Sequence, residues 1–174
     1  MTGTSNELFA LAVQLAERVK NINAQLVFAE SCTAGLAAST LAAVPGISKH
    51  LCGSAVVYQV PTKEAWLQIA SELIREQGVV SGAVALAMAR NVLTVTPQAT
   101  VSASITGDLG PDAPPATDGT AWIACATREG RTLTKHVELP ADVREEGTSL
   151  RLVRQRAAAE ALLRTVFEFL KTHE

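Results

Sequence analysis

The sequence has little charge and no excess of either sign. Its 174 residues include 15 Lys and Arg against 17 Asp and Glu, which gives a formal net charge of −2. Proteins that bind nucleic acids or anionic lipid surfaces without specificity carry an excess of positive charge, so this balance speaks against both classes of partner. We therefore expect no nucleic-acid partner and no membrane partner.

Long apolar runs and paired cysteines are also missing. No apolar run is long enough to cross a bilayer, and the first residues lack the basic and apolar segments of a secretory signal. Cys32, Cys52 and Cys125 are odd in number and form no Cys-x-x-Cys pair, which indicates buried thiols in a reducing compartment. These absences predict a cytoplasmic protein with neither a disulfide framework nor a metal site.

The pattern of apolar residues predicts an α/β fold. A chain of this length is expected to form one domain, here residues 1–174. The pattern predicts helices over residues 8–22, 33–43, 62–69, 71–77, 81–95 and 148–171, and strands over 25–29, 54–58, 100–105, 120–126 and 132–139. Helices before, between and after the strands predict a single three-layer α/β/α domain with a mixed, mostly parallel sheet and an antiparallel hairpin.

Small and polar residues follow the first predicted strand. In the segment Glu30–Gly35 a strand end runs into a helix start, where unpaired backbone N–H groups stabilise an anion or a developing oxyanion. Ser31 or Thr33 can equally serve as the cap of that helix. Cys32 competes with Ser31 as a nucleophile, since a helix N-terminus lowers the pKa of a thiol, but a buried structural role is our first interpretation of Cys32.

A serine nucleophile needs a base, and the histidines are poor candidates because they fall in a loop, in the hairpin and near the end of the chain: His50, His136 and His173. A buried lysine supplies a neutral amine instead, because burial lowers its pKa. Lys63 follows the strand that ends at Tyr58, and in a parallel sheet both emerge at the same edge as Ser31. A Ser31–Lys63 pair assisted by the Tyr58 hydroxyl is therefore available, although a lysine at a helix start is also typical of a solvated surface.

A second strand runs into a glycine-bearing loop at Ser104–Pro111, which offers hydroxyl and backbone donors to an anion. No Walker motif and no Gly-x-Gly-x-x-Gly motif is present, so nucleoside triphosphate and dinucleotide binding have no support. Arg151 and Arg154 lie one helical turn apart and either present a guanidinium to a phosphate or carboxylate or form an exposed polar face. Acidic residues beside glycine and proline usually form turns rather than a metal site, which is our interpretation of Asp108, Asp112 and Asp118.

Together these motifs resemble the C-terminal domain of the competence/damage-inducible CinA family, whose members include nicotinamide mononucleotide deamidases. The resemblance covers nearly the whole chain and is carried by Ala29–Leu36, by Val44–Ser48, by Gly53 and Tyr58 with Lys63, by Thr106 and Gly107 with Gly110 and Pro111, by Gly119–Ala124, and by Val153 with Arg154. It implies a stand-alone form of this domain, without the larger N-terminal domain of full-length members, and a homo-oligomer.

The resemblance also implies an activity, the deamidation of nicotinamide mononucleotide to nicotinic acid mononucleotide and ammonia. It assigns Ser31 as the nucleophile and Lys63 with Tyr58 as the groups that carry the proton, and it requires no metal and no other cofactor. The contacts with the mononucleotide substrate that it implies are Thr33, Gly35, Ser48, Thr106, Gly107 and Arg154. The phosphate would meet a hydroxyl, main-chain N–H groups and the guanidinium.

Two segments depart from the family pattern. The usual Tyr-Ser-Asn-x-x-Lys becomes Tyr58–Lys63 with Val60 in place of the amide, and the loop after Gly107 carries Asp108 and Asp112. These carboxylates come towards the expected phosphate region, where like charge opposes a mononucleotide. A second hypothesis therefore stands beside the first: a CinA-like protein that acts on another amide, or an inactive mononucleotide-binding or regulatory module.

Overall fold

A five-stranded mixed sheet with helices on both faces is formed by the residues that the computed structural model describes, 3–142 and 147–171. In chain order the elements are α1 Gly3–Asn21, β1 Leu26–Glu30, α2 Leu36–Ala42, a 3-10 turn Ile47–Lys49, β2 Leu51–Val56, α3 Val60–Leu67, α4 Ser71–Gln77, α5 Gly82–Val95, β3 Val101–Asp108, β4 Thr120–Thr127, β5 Thr132–Glu138 and α6 Leu150–Lys171. This is the predicted α/β class.

The strand order is β2-β1-β3-β4-β5. Strand β1 pairs in parallel with both β2 and β3, whereas β3 with β4 and β4 with β5 are antiparallel. Four strands therefore share one direction and β4 opposes them, which confirms the mixed sheet and the predicted hairpin. The parallel strands β1, β2 and β3 all end at one edge, and in such sheets this is the edge where ligands bind.

Alternating side chains of the central strands pack into two separate hydrophobic cores, one on each face of the sheet. Phe28 of β1 and Ile105 of β3 pack with α1, α2 and α6 on one face of the sheet. Val27 and Ala29 pack with Met88 and the rest of α5 on the other face. All five residues of β1 are buried, as expected for a strand covered on both sides.

Several element boundaries differ from the prediction, among them those of α2 and β2. Helix α2 begins at Leu36 rather than at residue 33, because Ala34 (φ +52°) and Gly35 (φ +92°) adopt left-handed backbone conformations that interrupt a helix. Strand β2 covers Leu51–Val56 rather than 54–58, and its pairing with β1 is irregular near Gly53 (φ +146°). Glycine in a strand has no side chain to contribute to the alternating pattern by which a strand is predicted, so the bounds of β2 are hard to read from the sequence.

Candidate active site

Ser31 lies directly after β1, the strand that pairs in parallel with β2 on one side and with β3 on the other. Its backbone N–H donates to the Ile105 carbonyl at 3.1 Å and so continues the β1–β3 pairing by one residue. The side chain is buried. The serine therefore occupies the sheet edge where α/β folds gather their ligand-binding groups.

Lys63 reaches this serine from the first half of α3. Its Nζ lies 2.9 Å from Ser31 Oγ, 2.8 Å from the Val57 carbonyl oxygen and 3.1 Å from the Tyr58 carbonyl oxygen. Only 1% of the lysine is exposed to solvent. The structure thus brings together the two side chains that the sequence predicted as a pair.

The surroundings of Lys63 favour the neutral amine. Burial lowers its pKa from 10.5 to about 8. A neutral amine has two N–H donors and one lone pair. The carbonyls of Val57 and Tyr58 can accept both N–H bonds, which leaves the lone pair to accept the proton of the Ser31 hydroxyl. This arrangement can activate a serine.

The backbone N–H donors at the N-terminus of α2 are already bonded to a side chain of the same chain. The fully buried Glu30 carboxylate accepts hydrogen bonds from the backbone N–H groups of Gly35, Ala37 and Ala38 at 3.0–3.1 Å. It also accepts from the Thr33 hydroxyl at 2.7 Å. The N–H groups of Gly35, Ala37 and Ala38 are therefore not free to bind an external anion, so the anion site expected in the Glu30–Gly35 segment is limited to the N–H groups nearer Ser31.

Thr33 and Gly35 accordingly have structural contacts here. The Thr33 hydroxyl donates to the Glu30 carboxylate, and Thr33 is fully buried. Gly35 combines its N–H bond to Glu30 with a left-handed conformation, and a Cβ there would lie 3.3 Å from Val56 Cγ2. Their predicted contacts with a substrate remain predictions.

Cys32 lines the same pocket as Ser31, and its thiol is neutral. Burial raises its pKa from 9.0 to about 12, and this effect exceeds the opposing influence of its backbone hydrogen bond and of Lys63. A thiolate is the reactive form of cysteine. The structure therefore favours the interpretation of Cys32 as a buried small side chain and leaves Ser31 as the candidate nucleophile.

A pocket of about 280 Å³ opens above the Ser31–Lys63 pair. Its walls are the start of α3 at Val60, the end of β3 at Thr106 and Gly107, the loop residues 108–114, and Arg151 of α6. The predicted contacts Thr106 and Gly107 thus lie at the pocket. The Thr106 hydroxyl donates to the Val79 carbonyl at 3.0 Å.

Tyr58 contributes its carbonyl, rather than its hydroxyl, to the Ser31–Lys63 pair. Its side chain is half-exposed and lines the pocket, and its hydroxyl is hydrogen-bonded to Arg151 Nη2. Arg151 Nη1 also donates to the Gly110 carbonyl at 2.5 Å. Tyr58 and Arg151 therefore form one side of the pocket mouth.

Arg154 does not line the pocket, in contrast to the phosphate contact assigned to it. Its Nη1 lies 2.8 Å from Asp118 Oδ1 and its Nη2 lies 3.2 Å from Asp118 Oδ2, while Nε donates to the Pro140 carbonyl at 2.9 Å. The residue is buried. Arg154 thus connects α6 to the loop before β4, and the guanidinium at the pocket belongs to Arg151. The one-turn spacing of the two arginines was a sequence signal for Arg151.

Ser48 lies away from the pocket. It is exposed in the 3-10 turn that leads into the beginning of β2. Because β2 runs parallel to β1, the beginning of β2 lies at the sheet edge opposite to Ser31. The expectation of a substrate contact at Ser48 is not met within one copy of the chain.

Within residues 3–142 and 147–171, no group of three or more His, Cys, Asp or Glu side chains is placed to hold a metal ion. In the same part of the chain, no helix combines the length and apolar character needed to span a bilayer.

The fold and the pocket define an α/β protein with a buried Ser–Lys pair at the carboxyl end of its parallel strands. Residues 8–167 match the family model of the CinA C-terminal domain. The chain belongs to this family, which confirms the resemblance seen in its motifs.

Proteins described as CinA-like also match this chain in sequence. A CinA-like protein of Mycobacterium tuberculosis is 39% identical over 131 residues, which are 72% of this chain and 30% of the relative. A CinA-like protein of Myxococcus xanthus is 36% identical over 124 residues, which are 71% of this chain and 29% of the relative. The chain thus spans less than a third of the length of these relatives.

Solved structures share the fold over nearly their whole length. The crystal structure of the competence damage-inducible protein A (ComA) of Klebsiella pneumoniae has a TM-score of 0.86 at 24% identity, covering 96% of this chain and 99% of that one. The structure of the competence/damage inducible protein CihA of Agrobacterium tumefaciens has a TM-score of 0.83 at 24% identity, covering 95% and 96%. At this identity the likeness shows the fold alone.

Proposed function

We propose that the chain is a serine-dependent amidohydrolase that hydrolyses the carboxamide of a nicotinamide nucleotide, with nicotinamide mononucleotide as the first substrate to test. The observation that carries this proposal is the 2.9 Å contact between Lys63 Nζ and Ser31 Oγ in a buried setting that lowers the pKa of Lys63 to about 8. The CinA resemblance supplies the substrate, and the pocket chemistry supplies the reaction type.

The first half of the reaction forms an acyl-enzyme. Ser31 Oγ attacks the carboxamide carbon while Lys63 Nζ takes the hydroxyl proton. The tetrahedral intermediate collapses when the C–N bond breaks, and the Lys63 ammonium gives its proton to the leaving amide nitrogen, which departs as ammonia. Ser31 is then esterified by the pyridine carboxylate.

The second half reverses these roles with water. Neutral Lys63 takes a proton from a water molecule, whose oxygen attacks the ester carbon. Breakage of the ester bond returns the proton to Ser31 Oγ and releases the carboxylic acid as its anion. The net change is one carboxamide and one water converted to one carboxylate and one ammonium ion, with no redox step and no metal.

The oxyanion of the tetrahedral intermediate needs hydrogen-bond donors. The N–H of Cys32 directly follows the nucleophile, and among the described residues it donates to no backbone carbonyl. Cys32 also lines the pocket. We assign this N–H as one donor to the oxyanion, a role in which the loss of one donor costs about 3 kcal/mol of transition-state stabilisation.

Ammonia release from nicotinamide mononucleotide tests the proposal directly. Wild type should release ammonia and form nicotinic acid mononucleotide in equal amounts, and Ser31→Ala should form neither. A correctly folded but inert wild type would overturn the proposed activity and favour the second hypothesis, a binding or regulatory module. The cytoplasmic location and the homo-oligomeric state stay predictions, which fractionation and light scattering would check.

A further inference from the structure

We infer that Asn91 of α5 is a positioning residue for the Ser31–Lys63 pair. Its side-chain amide holds the carboxyl end of α3, the helix that carries Lys63, and so keeps the lysine amine buried beside Ser31. This inference deepens the proposed function and rests on it for the reaction whose rate is measured. The position and protonation of Lys63 can be measured without that reaction.

Asn91 reaches α3 from the neighbouring helix. Its Nδ2 donates to the Leu67 carbonyl at 2.7 Å and to the Gln68 carbonyl at 3.4 Å, and the residue is half-buried. The last carbonyls of a helix have no partner within the helix, so a side chain that donates to them fixes where the helix ends. Asn91 therefore fixes the carboxyl end of α3 relative to α5.

Helix α3 depends on such contacts because it is short. It has eight residues, and an isolated helix of this length is marginal at best in water. Leu67 anchors the helix in the core that it shares with α5, whereas Trp66 of the same turn is 61% exposed. The packing of α3 against the rest of the protein therefore rests on few side chains, and Asn91 adds a hydrogen-bonded anchor to them.

Gln68 connects the Asn91 amide to the backbone of Lys63. Its carbonyl accepts from Asn91, and its own N–H donates to the Lys63 carbonyl. Gln68 is also held in a left-handed conformation (φ +52°), which costs free energy for a residue other than glycine and persists only where the surrounding contacts impose it. Loss of the Asn91 amide removes one of these contacts, so we expect this end of α3 to loosen.

The placement of α3 decides both the reach and the protonation of Lys63. Its Nζ lies 2.9 Å from Ser31 Oγ, and the lysine is only 1% exposed. Burial is the main cause of its lowered pKa, about 8 instead of 10.5. When α3 loosens, water reaches the amine, the ammonium form is stabilised and the pKa rises. Asn91 does not line the pocket, so its effect on the reaction passes through Lys63.

Titration of the Lys63 amine by ¹⁵N NMR tests the inference without turnover, with the signal assigned by its absence from Lys63→Met. Wild type should titrate near pH 8, and Asn91→Leu, which keeps the side-chain size but removes the donor, should titrate about one pH unit higher. An unchanged midpoint in folded Asn91→Leu would overturn the inference. Asn91→Ser, whose side chain is too short to reach both carbonyls, gives the same test if the leucine variant fails to fold. The other titratable or charged side chains that line the pocket are unaltered in both variants: Cys32, Tyr58, Asp108, Asp112 and Arg151.

Gln25→Leu is the matched control. Gln25 is also half-buried, and its Nε2 donates to the Lys49 carbonyl at 3.0 Å, just before β2 begins at the sheet edge opposite to Ser31. This variant likewise removes one bond from a side-chain amide to a backbone carbonyl. It should lose a similar amount of stability and leave the Lys63 midpoint unchanged. Equal midpoint shifts in the two variants would show a general loosening of the fold and overturn the inference.

Steady-state kinetics with nicotinamide mononucleotide separates this inference from the proposed function. A rise of one pH unit in the midpoint reduces the neutral fraction of Lys63 at pH 7 about tenfold, so kcat of Asn91→Leu should fall by about tenfold there while KM changes by less than about twofold. If the NMR midpoint shifts but wild type releases no ammonia, the proposed activity fails and the positioning role stands. If wild type is active and Asn91→Leu has the wild-type kcat and midpoint, the proposed activity stands and the inference fails.

Discussion

Lys63 Nζ lies 2.9 Å from Ser31 Oγ, and both side chains are buried although the residues are 32 positions apart in the chain. The pair is assembled because β1 and β2 run in parallel and α3 folds back over their carboxyl ends. The proposed nucleophile and its proposed base are therefore in contact without a bound substrate.

Ser31→Ala should abolish amidohydrolase activity without unfolding the protein. The variant removes the nucleophile but leaves Lys63 bonded to two carbonyls, so kcat should fall by at least about a thousandfold while the melting temperature changes little. Ammonia release and thermal unfolding measure the two effects. Ser39→Ala removes an exposed hydroxyl from α2 and should keep full activity. A Cys32→Ser variant that loses turnover while Ser31→Ala retains it would instead identify the cysteine as the nucleophile.

The pH dependence of kcat/KM should report the neutral amine of Lys63. Because this amine must be unprotonated to take the serine proton, and because burial lowers its pKa to about 8, kcat/KM should rise as pH increases through about 8 and then level off. Initial rates between pH 6 and pH 10 would give the midpoint. A profile that falls through pH 8 would assign the reactive form to the ammonium ion and contradict the mechanism.

Lys63 should also make the free energy of unfolding depend on pH. Its pKa is 10.5 before folding and about 8 after it, so between these values the unfolded chain holds the proton that the folded chain has lost. Stability should therefore rise across this window by up to about 3 kcal/mol relative to Lys63→Met, which has no proton to lose.

Urea denaturation of wild type and Lys63→Met at matched pH measures this difference. The raised pKa values of Cys32 and Cys125, both about 12, lower stability above pH 9, but they are present in both proteins and cancel in the comparison. A difference that is constant from pH 7 to pH 11 would show that the lysine is not desolvated in the folded protein.

Arg154 and Arg151 should respond differently to replacement by methionine. Arg154→Met removes a buried bidentate pair with Asp118 and should destabilise the fold by about 3 kcal/mol. Arg151→Met removes an exposed guanidinium at the pocket and should change stability by less than about 1 kcal/mol while altering KM. Chemical denaturation and steady-state kinetics on both variants check the contrast. Equal losses of stability would contradict the structural role given to Arg154.

Glu30→Gln should lower both stability and kcat. The carboxylate accepts hydrogen bonds on both oxygens, and the amide nitrogen of glutamine would meet N–H groups instead of accepting from them. We expect a loss of about 3 kcal/mol, because charged buried acceptors are costly to lose, and a lower kcat, because the segment after Ser31 shifts. Denaturation midpoints and the pH profile of the surviving activity separate the two effects. A retained midpoint near pH 8 would show that Lys63 itself is undisturbed.

The sequence predicted most of the fold because its signals are local. A helix was predicted over residues 81–95, and α5 begins at Gly82, where Ser81 Oγ caps it by accepting from the Val84 N–H at 3.2 Å. The boundaries of α2 and β2 were missed where Ala34 and Gly53 adopt positive φ values, since a non-glycine residue gives no sequence sign of that conformation and a glycine gives only an ambiguous one.

The site was predicted less completely because its details depend on distant partners. Periodicity places Arg151 and Arg154 one turn apart but does not show which of them faces the pocket. That choice is fixed by Asp118, a residue 36 positions away that pairs with Arg154. The sequence also did not show that Glu30 accepts from the N–H groups of Gly35, Ala37 and Ala38, because a buried carboxylate next to a helix start is indistinguishable in sequence from one that points to solvent.

Arg154 lies against Gly110 and Gly119, and the loop between these two glycines is suited to replacement by another sequence. A Cβ at Gly110 would lie 2.8 Å from Arg154 Nη1, and one at Gly119 would lie 2.7 Å from Nη2, so larger residues at either position would collide with the guanidinium. Residues 111–116 lie between these two fixed points, and the first four of them line the pocket. An engineer who wished to retarget the protein to a different amide would therefore replace this short stretch and keep both glycines.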